Sequence, residues 1–549
     1  MLRRFTRQGI APFIKLQCRT LATSSNDPPP PSSPPPPPHK DGLYFGQFTK
    51  QEYEEAARAI KQQIAKLEGE IKGDHNLREN LGKMAQFPAP SSDSASSPTE
   101  IHNLTDFFRQ TIKLTGPIPL SAYMRQCLTH PEYGYYTTRN PLDLRTGDFI
   151  TSPEISSVFG EMIGVWFFNI WQTSKNARPP RKIRFIEFGP GRGTLIHDVI
   201  ATFNKFVAMV SQDYVPRIEV VLIEASPTLR REQWKLICGE ENEFAVEDSG
   251  VNRAKSKWGN EVVWVDTEKA IPRDAGGDDD ASVNYIVAHE FFDALPIKSF
   301  VREKEGWREL VVDHTPSVNN TQLKLASSPD KEKKEGEKGE SESSDTLEET
   351  QFHVSISPKE TPASMIPKIG KRYKDLPEGT RIEICPDAEL FMMKIAQLVA
   401  GSALDNKSGG GSEGKEGEGS DEGAALVVDY GPSSGIPENT LRGIYKHKFV
   451  SPFYKPGEVD LSADVDFENL KNVSSTVCDV FGPIQQGDWL HNIGVGYRID
   501  QLIKKNSHDE ETQEKIYGAY RRLVDDEEMG KIFKFMAVLP KGSDKPVGF

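Results

Sequence analysis

The sequence predicts an α/β protein built on a Rossmann-like, doubly wound sheet with inserted strands and loops. Two observations predict this class. Short, continuously apolar and mostly β-branched runs alternate with helical segments, and a glycine-rich loop joins one such run to a helix. Strands that are apolar on both faces belong to parallel sheets covered by helices. Their alternation with helices is typical of α/β folds.

The N-terminal segment, residues 1–26, has the composition of a mitochondrial transit peptide. It is basic and rich in hydroxyl groups, its first acid is Asp27, and its apolar residues are dispersed rather than gathered into one run. We therefore expect targeting to the mitochondrial matrix. A disordered basic tail is the alternative.

Three segments separate the transit peptide from the folded part. Residues 27–46 are a proline-rich linker, which can form only polyproline II or irregular chain. Residues 47–72 place apolar side chains at alternating spacings of four and three, which predicts a short amphipathic helix. Residues 73–100 form a second linker rich in serine and proline.

The folded domain is predicted over residues 101–540, with a tail at 541–549. Two acidic, low-complexity stretches interrupt it at residues 326–350 and 404–423. Such stretches cannot bury enough apolar surface to fold alone, so we interpret them as exposed loop insertions without an assigned function.

Within the domain, the runs KIRFIEFG, RIEVVLIEAS, SVNYIVAHE and GAALVVDYG predict buried strands, and KIFKFMAVLP predicts a late one. Helical patterns cover residues 194–210, 227–239 and 387–400. The runs WRELVVDH and QFHVSISP predict strands inserted after the strand SVNYIVAHE.

Composition excludes some functions. The net charge of −14 and the lack of a basic stripe disfavour a general nucleic-acid binder. Five widely spaced cysteines form no CxxC pair, so neither a structural zinc site nor a disulfide framework is expected. No apolar run reaches the ~20 residues that span a bilayer.

The loop in RFIEFGPGRGTLIHDV is the candidate cofactor site, and its three glycines are Gly189, Gly191 and Gly193. Glycine allows positive φ and close backbone approach to a ligand. A dinucleotide fingerprint needs GxGxxG, whereas this spacing is GxGxG. Glu187 precedes the loop and would oppose a diphosphate, but it suits the cationic S-adenosylmethionine. We expect Arg192 to point outward or pair with an acid.

Glu224 follows the strand RIEVVLIEA, at the position from which a carboxylate accepts hydrogen bonds from ribose hydroxyls. Because NAD enzymes use the same position, Glu224 indicates a nucleoside without choosing between the cofactors. A solvent-facing glutamate is the alternative interpretation.

The candidate catalytic residues are His289, Glu290 and Asp293, which cluster at the end of the strand SVNYIVAH beside two phenylalanines. Two carboxylates in such a place suit the forked donors of an arginine guanidinium. We expect Glu290 to position the guanidinium, Asp293 to act as the second carboxylate, and His289 to accept a proton. The alternative is a capping network for the next helix, with Asp293 the residue that best fits a structural role.

Five motifs occur in order along the chain: GDFITSPEISSVFGEMIGVWF, EFGPGRGTL, LIEASPTLR, HEFFDALP and VDLSADVDF. Together they resemble the motifs of the MidA-type methyltransferases. The resemblance implies a class I S-adenosylmethionine-dependent methyltransferase fold over residues 101–540. It further implies symmetric dimethylation of an arginine on a quinone-module core subunit of complex I, in support of complex I assembly. It adds Gly147, Asp148, Phe149 and Ser152 as parts of a lid over the cofactor, together with Glu154.

Two further groups stay open. Tyr133, Tyr135 and Tyr136 could stack on adenine or pack under the lid. Asp460, Asp464 and Asp466 could form either an acidic rim or a turn with a helix start. A metal site is the third interpretation, and their spacing fits it least. Asp429 and Tyr430 end a strand close enough to line the same cleft.

Two other functions are alternatives to the mitochondrial protein arginine methyltransferase that the resemblance implies. One is a non-catalytic complex I assembly chaperone that retains the methyltransferase fold. The other is an NAD-linked oxidoreductase, which Glu187 and the broken fingerprint disfavour.

Overall fold

A nine-stranded sheet lies at the centre of the computed structural model. The model describes residues 101–138, 150–173, 182–210, 215–247, 250–272, 282–314, 350–401 and 423–549. The predicted transit peptide, the two linkers, the helix 47–72 and all but the last residue of each acidic insertion lie outside these residues.

The described strands are β1 (Ile118–Pro119), β2 (Lys182–Phe188), β3 (Arg217–Ile223), β4 (Ala245–Val246), β5 (Asn252–Lys255), β6 (Glu261–Val265), β7 (Ser282–His289), β8 (Lys298–Glu303), β9 (Gly306–His314), β10 (Phe352–Ile356), β11 (Arg381–Ile384), β12 (Ala424–Tyr430), β13 (Arg442–Tyr445), β14 (Lys448–Val450), β15 (Asp460–Ser462), β16 (Cys478–Gln485) and β17 (Phe533–Pro540).

The described helices are α1 (Leu104–Thr115), α2 (Leu120–Thr129), α3 (Tyr135–Thr138), α4 (Ser152–Ile155), α5 (Ser157–Thr173), α6 (Thr194–Val210), α7 (Pro227–Ile237), α8 (Met365–Ile369), α9 (Pro386–Ala400), α10 (Phe467–Ser474), α11 (Gln486–Ile493), α12 (Val495–Lys505), α13 (Glu510–Val524) and α14 (Met529–Ile532).

The strand order of the central sheet is β16-β17-β12-β7-β2-β3-β6-β5-β4. The five strands from β12 to β6 are parallel, and β17 lies antiparallel to both of its neighbours. From β2 the chain first proceeds to β3 and β6, then returns to β7 on the other side of β2. The loops after β2 and β7 therefore diverge, which leaves the crevice where ligands bind in open α/β sheets.

Alternating side chains of each central strand enter two different cores. Phe185 and Val220 face a core completed by α5 and α6, whereas Ile186 and Val221 face a core completed by α9 and α10. All four are fully buried. Burial on both faces is why these strands read as continuous apolar runs rather than alternating ones, and each buried side chain contributes about 1.5–3 kcal/mol.

Two smaller sheets are inserted beside the central one. One has the order β1-β9-β8-β11 with β10 paired to β9, and the other has the order β14-β13-β15. Helices α1 and α2 pack against both in a third core that joins Val312 and Phe352 to Leu461.

The predicted fold class is confirmed. The strand and helix predictions coincide with β2, β3, β7, β12, β17, α6, α7 and α9 to within two residues at most helix ends. The inserted runs are β9 and β10, which pair with each other. Strand β6 is not among the strands that the sequence predicts. No helix in the described parts of the chain combines the length and apolarity needed to cross a bilayer.

Candidate active site

A cavity of about 1300 Å³ opens at the carboxyl ends of the central strands. It brings together seven of the predicted site residues from the ends of three strands and the loops that follow them: Glu187, Gly189, Gly191, Glu224, His289, Glu290 and Asp293. These loops follow β2, β3 and β7, which are neighbours in the sheet although they are far apart in sequence.

The three glycines of the glycine loop adopt a backbone conformation with positive φ. Gly189, Gly191 and Gly193 have φ values of +65°, +52° and +84°, a region that side chains with a Cβ rarely adopt. At Gly193 a Cβ would also lie 3.1 Å from Gln233 Cγ. Gly193 does not line the cavity. Its small size lets α7 pack closely behind the loop.

Gln233 is a buried residue of α7 that the sequence did not point to. Its amide donates to the carbonyl oxygen of Gly191 at 2.6 Å and to Glu224 Oε2 at 3.3 Å. Its oxygen accepts from Trp264 Nε1 at 2.9 Å. Gln233 thus joins the glycine loop to the acid after β3. A lone glutamine on a helix carries no recognisable signal.

Glu187 is almost completely buried, and its Oε2 atom has no hydrogen-bond partner. Burial raises the pKa of this carboxyl to about 8, although a backbone hydrogen bond with Ile196 opposes the shift. An unpartnered buried carboxylate oxygen in a cavity wall suits a cationic ligand. This fits S-adenosylmethionine, which carries an ammonium and a sulfonium.

Glu224 follows β3 directly, and its Oε1 accepts from the backbone N–H of Ser226 at 2.8 Å. Burial raises its pKa, while this hydrogen bond and that of Gln233 lower it. Arg230 donates to the Glu224 carbonyl oxygen at 2.6 Å and pairs with Asp266. The acid is therefore held rigidly at the cavity wall.

The loop after β7 carries the predicted catalytic residues. Glu290 has a φ of +48°, which is strained for a residue with a side chain. Its Oε1 atom is buried without a hydrogen-bond partner and lies 3.4 Å from His289 Nε2. Burial, Asp293 and Asp460 raise the pKa of Glu290 well above its usual value. Burial lowers the pKa of His289 to about 3, which weakens it as a base.

Asp293 lies on the same loop and is buried. Its Oδ2 atom accepts a hydrogen bond from the Tyr430 hydroxyl, whereas Oδ1 has no hydrogen-bond partner. Burial raises its pKa, and Tyr430 and Arg442 oppose the shift. Two neighbouring carboxyl groups, Glu290 and Asp293, therefore each offer a free acceptor oxygen at the cavity.

Asp429 anchors this loop from the adjacent strand β12. It is fully buried, and its Oδ2 accepts from the backbone N–H of Phe292 at 3.0 Å and of Asp293 at 3.4 Å. Its Oδ1 accepts from the N–H of Tyr430 at 3.0 Å. Burial, followed by Asp293 and Glu290, raises its pKa well above the usual value.

A second wall of the cavity comes from β13, β15 and α3. The Tyr136 hydroxyl donates to Asp460 Oδ1 at 2.9 Å. Arg442 donates to Asp464 Oδ1 at 2.7 Å, and its guanidinium lies 4.7 Å from the Tyr430 ring centroid. The sequence did not point to Arg442, because a single arginine between two motifs forms no recognisable pattern.

The predicted lid is described only in part. Gly147, Asp148 and Phe149 lie outside the described residues. Ser152 is fully buried, with its hydroxyl 4.0 Å from the sulfur of Met529, and does not line the cavity.

Glu154 ties the lid segment to the start of α6. It accepts from the Thr194 hydroxyl at 2.6 Å and lies 3.5 Å from Arg192 Nη1, so the predicted pairing of Arg192 with an acid is confirmed.

The tyrosines and aspartates whose roles the sequence leaves open lie in different parts of the structure. Of the tyrosines, Tyr136 lines the cavity, Tyr135 is buried in the third core, and Tyr133 stacks on His130. Asp466 caps α10 and pairs with Arg372, apart from the cavity that Asp460 and Asp464 line. Within the described ranges, no cluster of three His, Cys, Asp or Glu side chains could hold a metal ion.

Sequence comparison identifies relatives over most of the chain. Residues 162–484 match the family model described as "Putative S-adenosyl-L-methionine-dependent methyltransferase". A Xenopus laevis protein named mitochondrial protein arginine methyltransferase NDUFAF7 is 32% identical, with 83% of this chain and 88% of that protein covered. The NDUFAF7 homolog of Drosophila melanogaster is 31% identical, with 84% and 92% covered.

Structural comparison identifies the same fold in a bacterial protein. A crystal structure from Burkholderia thailandensis, bound to S-adenosyl-homocysteine, aligns with a TM-score of 0.54 and 21% sequence identity. The alignment covers 84% of this chain and 97% of the bacterial one.

Proposed function

Because the chain belongs to the family of S-adenosyl-L-methionine-dependent methyltransferases, we propose that it is a mitochondrial enzyme that methylates an arginine side chain of another protein. The observation that carries the proposal is the pair of buried carboxyl groups, Glu290 and Asp293, each with one oxygen that lacks a hydrogen-bond partner. Both line the cavity that also contains the glycine loop.

A guanidinium is the ligand that these two groups suit best. It is planar, stays protonated at neutral pH and presents five N–H donors in a fork. Burial raises the pKa values of both carboxyl groups, and the neighbouring Asp293 and Asp460 raise that of Glu290 further. A bound cation would reverse this, since a nearby positive charge favours the ionised form.

The cofactor supplies an electrophilic methyl group on a sulfonium. Glu187 would stabilise the cationic part of the cofactor, and Glu224 would accept hydrogen bonds from the ribose hydroxyls. The glycine loop admits the cofactor because Gly189 and Gly191 bear no side chain in the positive-φ conformation that they adopt.

Catalysis then depends on placement and electrostatics rather than on a strong base. Glu290 would orient one guanidinium nitrogen, and Asp293, held by Tyr430, would accept hydrogen bonds from another. The bound cofactor would supply its methyl group to that nitrogen and leave as S-adenosylhomocysteine, and the nitrogen would then lose its proton to an acceptor in the cavity. The pKa of about 3 at His289 weighs against the histidine and favours a carboxylate as its acceptor.

The finer parts of the proposal rest on the family resemblance. They are symmetric dimethylation, a quinone-module core subunit of complex I as substrate, and the mitochondrial matrix as the compartment. The names of the relatives, which read mitochondrial protein arginine methyltransferase, support the reaction and the organelle.

A methyl-transfer assay tests the proposal. The protein from residue 100 onward is incubated with labelled S-adenosylmethionine and a mitochondrial extract from cells that lack it. We expect label on an arginine of one complex I subunit with the wild type and none with Glu290→Gln, which keeps the shape of the side chain but removes its charge. Glu438→Gln, at the exposed mouth of the same cavity, is the control.

Two results would contradict the proposal. A fully active Glu290→Gln protein would assign catalysis to another residue. Cofactor binding without transfer to any protein would favour the assembly-chaperone interpretation instead.

A further inference from the structure

The hairpin formed by β13 and β14 carries a concentration of positive charge beside an acidic cavity. Between residues 442 and 458 there are four Lys or Arg side chains and one acid, Glu458. We define the basic hairpin as residues 442–450 together with Lys455. The cavity lining holds more acidic than basic side chains, and Glu290, Asp293 and Asp460 are among the acids.

One face of the basic hairpin belongs to the cavity wall. Ile444 pairs with Phe449 across the hairpin, and both line the cavity together with Val450. Phe449 is nevertheless 74% exposed. Together with Ile444 and Val450, Phe449 therefore forms a contiguous apolar patch at the cavity, and such patches are typical of interaction surfaces.

The lysines lie at the tip of the hairpin and around Tyr445, next to the pair formed by Ile444 and Phe449. The Nζ atoms of Lys446 and Lys455 lie 5.2 and 5.1 Å from the centroid of the Tyr445 ring. Lys448 pairs with Tyr445 in the strand register. All three lysines are exposed, so a segment that crosses the hairpin tip would meet several positive charges.

Backbone strain marks the same region. Five residues other than glycine have positive φ in the described parts of the chain: Glu290, Asn439, Lys446, His447 and Lys455. The first two line the cavity, and the other three belong to the basic hairpin.

The turn of the hairpin would favour Asn-Gly, because both central residues have positive φ. The chain has Lys446 and His447 there instead. Strain of this kind concentrates at binding and active sites, where charge or shape outweighs backbone preference.

We propose that the basic hairpin is the docking surface for the substrate protein, and that the target arginine lies in a segment with acidic residues beside it and an apolar residue that packs on Phe449. The arginine would enter the acidic cavity while its acidic neighbours meet the lysines of the tip. This inference rests on the proposed arginine methylation and adds the charge pattern of the substrate. Charge complementarity of this kind sets specificity and association rate.

Peptide binding tests the inference independently of turnover. The full protein, saturated with S-adenosyl-homocysteine, is titrated into fluorescent peptides that contain one arginine flanked either by glutamates or by glutamines. We expect the glutamate peptide to bind about tenfold more tightly at low salt, from several exposed ion pairs of modest strength. Added salt should reduce the difference.

Variants locate the effect. Simultaneous Lys446→Glu, Lys448→Glu and Lys455→Glu substitution should abolish the preference for glutamate. The matched control, Lys359→Glu with Lys504→Glu and Lys505→Glu, makes the same change of charge at exposed positions outside the cavity and should retain the preference. Phe449→Ala should lower the affinity for both peptides, and Phe449→Leu should retain most of the wild-type affinity.

The inference is overturned if the wild type binds both peptides equally or not at all, or if the hairpin variant keeps the preference. Methyl transfer to either peptide is measured separately. Lack of transfer with retained glutamate preference would count against the proposed reaction and leave the docking surface supported.

Discussion

At the residue scale, the glycine loop depends on backbone conformation rather than on glycine content. The φ of Gly191 is +52°, and its carbonyl oxygen is held by Gln233. A residue here must adopt the left-handed region while its carbonyl keeps that hydrogen bond. The requirement makes position 191 a sensitive probe of the proposed cofactor site.

Gly191→Val should reduce affinity for S-adenosylmethionine by at least tenfold, because a β-branched residue at positive φ costs roughly 1–3 kcal/mol and places methyl groups at the cavity wall. Isothermal titration calorimetry measures the change. Gly259→Val is the matched control, since Gly259 has a φ of +84° and open space around it. If both variants bind S-adenosylmethionine as tightly as the wild type does, the cofactor does not bind at this loop.

The protonation state of Glu187 couples cofactor binding to pH. Burial raises its pKa to about 8, so it is mostly protonated at pH 7 in the absence of ligand. A cationic ligand needs the ionised form and must drive off the proton. Affinity for S-adenosylmethionine should therefore rise with pH up to about 8 and then level off, by at most tenfold per pH unit.

The affinity measured between pH 6 and 9 checks this prediction. Glu187→Gln should bind more weakly, and its affinity should change little over the same range. A wild-type affinity that does not vary with pH would mean that Glu187 does not face the cationic part of the cofactor.

At the element scale, the loop after β7, which carries the proposed catalytic residues, is shaped by a neighbouring strand. Asp429 on β12 accepts hydrogen bonds from two backbone N–H groups of the loop after β7. Strands β7 and β12 are adjacent and parallel, so the end of one can hold the loop of the other. This arrangement offsets the strained conformation of Glu290.

Asp429→Ala would leave these buried N–H groups without acceptors, at a cost of about 1–3 kcal/mol each. We expect a lower free energy of unfolding and a kcat reduced at least tenfold, with cofactor affinity less affected. Asp429→Asn keeps one oxygen acceptor and should recover part of the kcat. Denaturant unfolding and steady-state kinetics separate the two effects, and an unchanged kcat in Asp429→Ala would show that the loop holds its shape without this anchor.

At the scale of the whole molecule, the last residues close the first core rather than extending away from it. The Trp166 indole donates to the Val547 carbonyl oxygen at 3.0 Å, and Phe549 packs on the same indole. Trp166 belongs to α5, which covers one face of the central sheet. The segment predicted as a tail therefore contributes to the packing of the domain.

Removal of residues 546–549 should lower the free energy of unfolding by about 2–4 kcal/mol, because it leaves the buried Trp166 N–H unpaired and exposes apolar surface. Differential scanning calorimetry measures the shift in Tm. Phe549→Leu is the milder comparison and should cost less. An unchanged Tm would mean that the terminal contacts carry little net energy.

The sequence by itself determined the parallel core of the sheet, the glycine loop and the acids around it. Continuous apolar runs and positive-φ glycines are local signals, because burial on both faces and backbone conformation constrain residues that are near one another in the chain. Glu187, Glu224 and Glu290 each lie within or beside a motif strand, so local patterns are enough to point to them.

Only the tertiary structure decided which distant residues complete the site. Gln233 holds the carbonyl oxygen of Gly191 from behind the glycine loop, whereas Arg442 and the basic hairpin line the cavity through strand order and insertion topology. No short-range pattern of residue types encodes these contacts. The structure also showed that Ser152 and Gly193 lie behind the cavity wall rather than in it. Packing in three dimensions, not residue type, determines which side of a loop meets the ligand.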